Sequence, residues 1–157
     1  MLEDVRFETL KGVEHLSAEQ LFKPPADGEY PIGAYLMHLA ECDIFWLEVL
    51  SGNEQPADLK KDAYYDVWFD AYKTSSPPSS PLDKEVYLNV MLRTRKNFLD
   101  YISGMEDKNL EEKITRKRNE KEIQISKKWI IYHIIEHEAH HRGQMFMLIR
   151  KAGWNKK

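Results

Sequence analysis

Apolar residues recur at helical spacing along most of the chain, between stretches that cannot be helical. The first amphipathic run is Glu3–Leu21, "EDVRFETLKGVEHLSAEQL", with Gly12 as its soft spot. "PPADGEYP" breaks the chain. Pro31, suited to a first helical position, then opens "PIGAYLMHLAECDIFWLEVLSG", which Gly52 ends. "ADLKKDAYYDVWFDAYK", at 57–73, reads as a shorter amphipathic helix, and "TSSPPSSP" as a loop. Ser80 as N-cap and Pro81 after it start "PLDKEVYLNVMLRTRKNFLDYISG", closed by Gly104. The segment Lys113–Lys128 alternates weakly around Arg118-Asn119. It admits a short hairpin, but an irregular excursion is the preferred reading. Ser126 caps a last helix that runs to about Lys151, before Gly153.

Four long helices and one short extra helix, with no secure strand, predict an all-α four-helix bundle in a single domain over 1–157. The long crossover between the second and third long helices can return the chain to its starting end, which makes those two parallel. The short first link implies an antiparallel pair.

Composition narrows the class. An apolar content of 42% excludes a disordered chain. Lys+Arg 23 against Asp+Glu 26 leaves −3, so no global field favours nucleic acid or an anionic membrane. The basic stretch "TRKRNEKEIQISKK" is interrupted by Glu120 and Glu122 and reads as a solvated loop. The lone Cys42 excludes an internal disulfide framework and fits a reducing compartment. With no leader pattern and no apolar run of the roughly 18 residues that span a bilayer, the expectation is a soluble cytoplasmic protein.

The unusual chemistry lies in "HIIEHEAHH", His133–His141, which holds four of the six histidines. At about 100° per residue, His141 falls in the middle of the arc defined by Ile130, Ile134, Met145 and Leu148 and His137 beside it, so both take core-seam positions, while His133 and His140 flank them. A buried imidazole without a partner costs a few kcal/mol, so two of them one turn apart need a shared reason. The i, i+4 spacing sets their rings side by side, able to bind one cation of the Zn, Ni or Fe type. A third ligand should come from another helix, and His38 shares an apolar face with Tyr35, Cys42 and Phe45. The candidate ligands are therefore His38, His137 and His141. His133 and His140 read as supporting or surface residues, and His15 as surface. Cys42 reads as a small hydrophobe, and Glu41, Glu136 and Glu138 as solvated carboxylates. Tyr35, Phe45, Trp46 and Trp129, and with them Tyr64, Tyr65 or Trp68, serve equally as pocket wall or plain core, with core preferred.

The same nine residues match both H-E-x-x-H and H-x-x-E-H, the two zinc-protease signatures. That double match shows how little either proves in a His/Glu-rich helix. Only 16 residues follow His141, Gly143 is one position off the extended form, and Glu138 sits at the edge of the arc, so the protease reading is set aside.

On "IGAYLMHLAECDIFW" early, "IIYHIIEHEAHHRGQM" late and the opening pattern from Arg6 to Leu21, the chain resembles the DinB family of small metal-binding helical bundles. The resemblance implies a divalent metal on one histidine of the second helix and two of the last, which are His38, His137 and His141 here. It implies homodimers, and in some branches thiol-dependent enzymes that use mycothiol or bacillithiol. Gly143 is expected to admit a neighbouring helix, and Gln144 to hydrogen-bond a ligand histidine or metal-bound water. Two functions follow as expectations: a metal-dependent enzyme, either a thiol S-transferase or isomerase or a hydrolase, and a non-enzymatic metal-binding stress-response homodimer.

Overall fold

The computed structural model describes residues 1–69, 77–118 and 120–155. Helix α1 spans Leu2–Val13, α2 Ala18–Phe22, α3 Ile32–Ser51, α4 Ala57–Asp62, α5 Lys84–Ser103 and α6 Lys127–Lys151. Strands β1, Lys113–Arg118, and β2, Lys121–Ser126, form an antiparallel hairpin between α5 and α6.

Several boundaries differ from the sequence reading. The predicted first helix is two. The chain turns after Val13 and buries Leu16 completely. It then restarts with Ser17 Oγ accepting from Gln20 N at 3.2 Å while Gln20 Oε1 accepts from Ser17 N at 2.9 Å. Gly12 is not a soft spot but a contact point: a Cβ there would lie 2.0 Å from the Phe146 ring. α5 starts after Asp83 rather than Ser80, and Leu82 packs against the core in the approach to the helix.

The segment at 57–73 is helical only to Asp62. Beyond it Tyr64 and Asp66 adopt left-handed backbone, φ 52° and 57°, which ends the helix and turns the chain back on itself. The end of that segment, at 70–73, lies outside the described residues, as do Asn119 and the first residues of the predicted loop. The Lys113–Lys128 segment is a hairpin, not an irregular excursion. Ile114 faces Ile125 and Arg116 faces Ile123 in register, giving the ribbon one half-buried face. Pro31, Gly52, Gly104 and Ser126 stand at the helix boundaries assigned to them; Gly52 takes φ 71° and Ser126 Oγ accepts from Trp129 N.

Helix directions follow from cross-helix contacts. Gly33 lies against Tyr87, Asp43 bonds Arg95, and Leu50 O accepts from Tyr101, so α3 and α5 run parallel, as the crossover predicted. Arg6 pairs with Glu138 and Gly12 meets Phe146, so α1 and α6 are also parallel. His38 lies near His141 and Trp46 near His133, so α3 and α6 are antiparallel.

Two apolar clusters fill the bundle. One gathers Leu16, Ile32, Leu36, Met37, Tyr87, Met91, Met145 and Leu148. The other gathers Trp46, Leu47, Phe98, Ile130 and Ile134. Each fully buried Leu, Ile, Met or Phe in these layers contributes about 1.5–3 kcal/mol. Between the clusters lies a polar layer to which each long helix gives one charged side chain. Arg6 of α1 bonds Asp43 of α3 at 3.0 Å and Glu138 of α6 at 2.9 Å. Arg95 of α5 bonds the same two carboxylates at 3.0 and 2.7 Å. All four side chains are almost completely buried, and their formal charges cancel.

No helix among the described residues is long and apolar enough to cross a membrane.

Candidate metal centre

α3 and α6 cross so that the inward turns of each carry the histidines. The structure brings all three predicted ligands together: one ligand nitrogen each from His38, His137 and His141 lies within 4.8 Å of the other two. His38 is buried, and His137 and His141 are half-buried. The ring centroids of His38 stand 5.1 Å from His137 and 5.0 Å from His141, and those of His137 and His141 stand 4.4 Å apart. Among the described residues no other group of His, Cys, Asp or Glu meets this condition.

The donor set fits a divalent transition metal. Two nitrogens at about 2.0–2.1 Å from a tetrahedral ion stand roughly 3.3 Å apart. Nε2 of His137 and Nε2 of His141 stand 3.2 Å apart. Burial, with the neighbouring histidines His141 and His38, pushes His137 down to about 3, so this ring stays neutral at ordinary pH. Each of the three rings turns one ligand nitrogen toward the other two.

Supporting residues fix two of the rings. Gln144 Oε1 lies 2.7 Å from His141 Nδ1. An amide oxygen only accepts, so Nδ1 carries the proton and Nε2 keeps its lone pair for the centre. This is the role expected for Gln144. Gly143, by contrast, admits no neighbouring helix: a Cβ there would meet nothing within 4 Å, because the residue faces outward. On α3, Glu41 Oε2 lies 3.4 Å from His38 Nδ1, and Glu41 Oε1 accepts from the Asp66 N–H. Burial raises the Glu41 carboxyl above its usual range, against the lowering effect of those hydrogen bonds. The left-handed Asp66 thus has a use: it aims a backbone N–H at the carboxylate that holds His38.

Several residues differ from their sequence assignments. Glu41 is buried rather than solvated. Glu138 is 1% exposed, bound to Arg6 and Arg95. Burial alone would raise its pKa, but the two guanidinium groups outweigh that and lower it. A carboxylate so held cannot act as the base of an H-E-x-x-H site. Cys42 is more than a small hydrophobe, since its Sγ lies 3.9 Å from His38 Nε2 and 3.8 Å from His137 Nε2. His15 is half-buried, with Nε2 2.7 Å from the Trp154 carbonyl oxygen. His140 is exposed, beside His141. His133 stacks on Trp129 at 4.7 Å and 8° and reaches toward His137.

The aromatics divide between wall and core. Tyr35 lies beside His141, and Phe45 and Tyr65 line a recess with His38, Glu41 and Cys42. Trp68 is core, against Tyr87, and Tyr64 packs on that core. Phe69, not singled out in the sequence, stacks on His38 at 4.4 Å. No spacing rule relates Phe69 to His38, because the turn after α4 brings them together.

Comparison with known proteins agrees with this architecture. The profile of the DinB superfamily matches residues 1–145. No curated protein matches. Among solved structures, a conserved protein from Enterococcus faecalis superposes with a TM-score of 0.72 at 10% identity, covering 95% of this chain and 91% of that one. A DinB-like protein from Bacillus cereus gives 0.67 at 19% identity, covering 95% and 86%. YfiT from Bacillus subtilis, described as a probable metal-dependent hydrolase with an unusual four-helix bundle topology, gives 0.66 at 19% identity, covering 98% and 85%.

Proposed function

The chain belongs to the DinB superfamily, and from that premise we propose that it is a metal-dependent enzyme, with His38, His137 and His141 as ligands of one divalent transition metal ion and a low-molecular-weight thiol as cosubstrate. The observation that carries the reading is the 3.2 Å approach of two Nε2 atoms beside a third histidine, in a half-buried site. Three histidine ligands leave a coordination position open, the arrangement of catalytic zinc-type sites. A divalent metal bound there would supply Lewis acidity, which favours deprotonation of a thiol at neutral pH.

The chain's own residues then have defined tasks. Gln144 holds the His141 tautomer, and Glu41 holds the orientation of His38. Phe69 and Tyr35 cover the histidines with apolar surface and limit competing water. Glu41, the carboxylate beside His38, is engaged with that ring and with the Asp66 N–H, and a thiol needs only to lose its proton to become the nucleophile. The matching chemistry is S-transfer, in which the thiolate sulfur forms a bond to an electrophilic carbon as a leaving group departs with its electron pair.

The test is incubation of metal-loaded protein with mycothiol or bacillithiol and an aryl halide. We expect conjugate and halide released in equal amounts, lost in His137→Ala. Turnover of esters or amides without thiol consumption would instead assign water as the nucleophile, in line with the description of YfiT.

A second reading is favoured by Cys42. Its Sγ stands close enough to His38 and His137 to complete a closed site after a small rotation, giving a non-enzymatic metal-binding protein. Cobalt substitution separates the two: thiolate-to-cobalt charge transfer in thiol-free protein, absent in Cys42→Ser, supports the closed site. The expected homodimer belongs to the same proposal. Its support is the apolar groove between α1 and α5, where Phe7 and Leu92 are exposed. Sedimentation of Leu92→Glu as a monomer, against a wild-type dimer, is the expected result.

A further inference from the structure

The hairpin does more than link α5 to α6. Its half-buried face closes a cleft of about 410 Å³ against Phe45 and Trp46 of α3 and Trp129 and His133 of α6. Trp129 stacks on His133, and Trp46 stands edge-on to both, with ring centroids 5.6 Å and 5.3 Å away. Trp129 is 41% exposed, so the cleft opens to solvent through an indole that a plain core would have covered.

The other wall carries a cation. Arg116 Cζ lies 4.7 Å from the Phe45 ring centroid and 5.0 Å from that of Trp46. Stacking on two aromatic faces holds the guanidinium plane within the cleft at low conformational cost. The alternation of β1 makes this placement specific, since Lys113, Thr115 and Lys117 point to solvent while Arg116 points inward between Ile123 and Ile125.

The cleft abuts the histidines. His133 at its inner wall lies 5.4 Å, ring to ring, from His137. Phe45 lines both this cleft and the recess formed by His38 and Cys42.

We propose that this cleft is the binding subsite for the second substrate, and that it takes a planar apolar molecule bearing a carboxylate. The apolar part would lie among Trp46, Trp129 and Phe45, and the carboxylate would meet the Arg116 fork. The assignment of substrate class rests on the proposed enzymatic function, but the binding site itself does not need the metal.

The test uses 2-naphthoate and its neutral isostere 2-naphthamide, titrated into the full chain and read by tryptophan fluorescence and calorimetry. Naphthoate is expected to bind about tenfold more tightly than the amide, a ratio equal to about 1.4 kcal/mol. Arg116→Gln is expected to abolish that ratio, Arg116→Lys to keep part of it, and Trp129→Ala to weaken both ligands. His137→Ala is expected to keep the ratio while losing metal, so failure of the metal centre and failure of the cleft give different results. Equal binding of the two ligands to wild type, binding of neither, or a preference that survives Arg116→Gln would overturn the proposal.

Discussion

The bundle contains two buried polar clusters built on neighbouring residues, and they behave in opposite ways. Asp43 and Glu138 sit one position from Cys42 and His137, yet they face another side of the same two helices. There they meet Arg6 and Arg95 in a closed square of hydrogen-bonded opposite charges. The histidines gather three ligand nitrogens within 4.8 Å of one another, and burial with the neighbouring His141 and His38 lowers the pKa of His137. The square is complete as it is and ties four helices into one register. The triangle offers three ligand nitrogens that could hold a cation. One cluster makes the fold specific, and the other makes a site.

The contrast can be broken first at the square. Glu138→Ala or Arg95→Ala leaves an uncompensated buried charge and should cost about 3–5 kcal/mol. His137→Ala in metal-free protein should cost about 1 kcal/mol or less. Urea unfolding of the metal-free variants measures both, and comparable losses would erase the distinction between the clusters.

A smaller effect is expected from the residues that hold the ligands. Glu41→Gln and Gln144→Ala should each weaken metal affinity by about 10–100-fold while leaving unfolding of the metal-free chain nearly unchanged. Competition with a chromogenic chelator reads the affinity. Unaltered affinity in both variants would reduce these hydrogen bonds to packing details.

Acid should separate the clusters more gently. The unfolded chain protonates His137 near its ordinary value of 6.5, whereas the folded, metal-free chain resists until about 3. In that window the unfolded state binds more protons, so the histidine's contribution makes stability fall as pH drops. Glu138, lowered by its arginines, acts in the same direction: its stabilisation is present above its ordinary 4.5 and is lost below. His137→Gln should therefore flatten the decline that starts near pH 6.5 and leave the later, carboxylate part in place. Parallel pH–stability curves for wild type and His137→Gln would contradict this.

The smallest effect belongs to Gly143→Ala. With open space around the missing Cβ, the change should stabilise α6 by about 0.5–1 kcal/mol and leave metal affinity alone. Loss of metal in this variant would show that the glycine serves the site in a way its surroundings do not reveal.

How much could be read from the sequence follows the same division. His137 and His141 were legible because i, i+4 spacing on one helix fixes their relation, and His38 because it is the polar residue on an apolar face. Gln144 was legible for the same reason, lying one turn from His141. The square was not, because its partners lie on four helices and pair across as many as 132 positions, where no local period connects them. Glu138 looked solvated at the arc's edge because angle alone does not show which neighbour covers that edge. The break after Val13 was readable in principle from the Ser17–Gln20 capping box. The hairpin was obscured because Glu120 takes its left-handed turn position, φ 64°, without a glycine to announce it. Phe69 and Asp66 depend on a turn whose geometry is set by the core beneath it.

The central claim is that three imidazoles from two helices hold one ion. Elemental analysis of the purified protein beside His38→Ala and His137→Ala tests it most directly. About one divalent transition metal ion per chain is predicted in wild type, falling away in both variants while their helical content persists. Undiminished metal in the two variants, or a wild-type chain that takes up none from excess zinc, would contradict it.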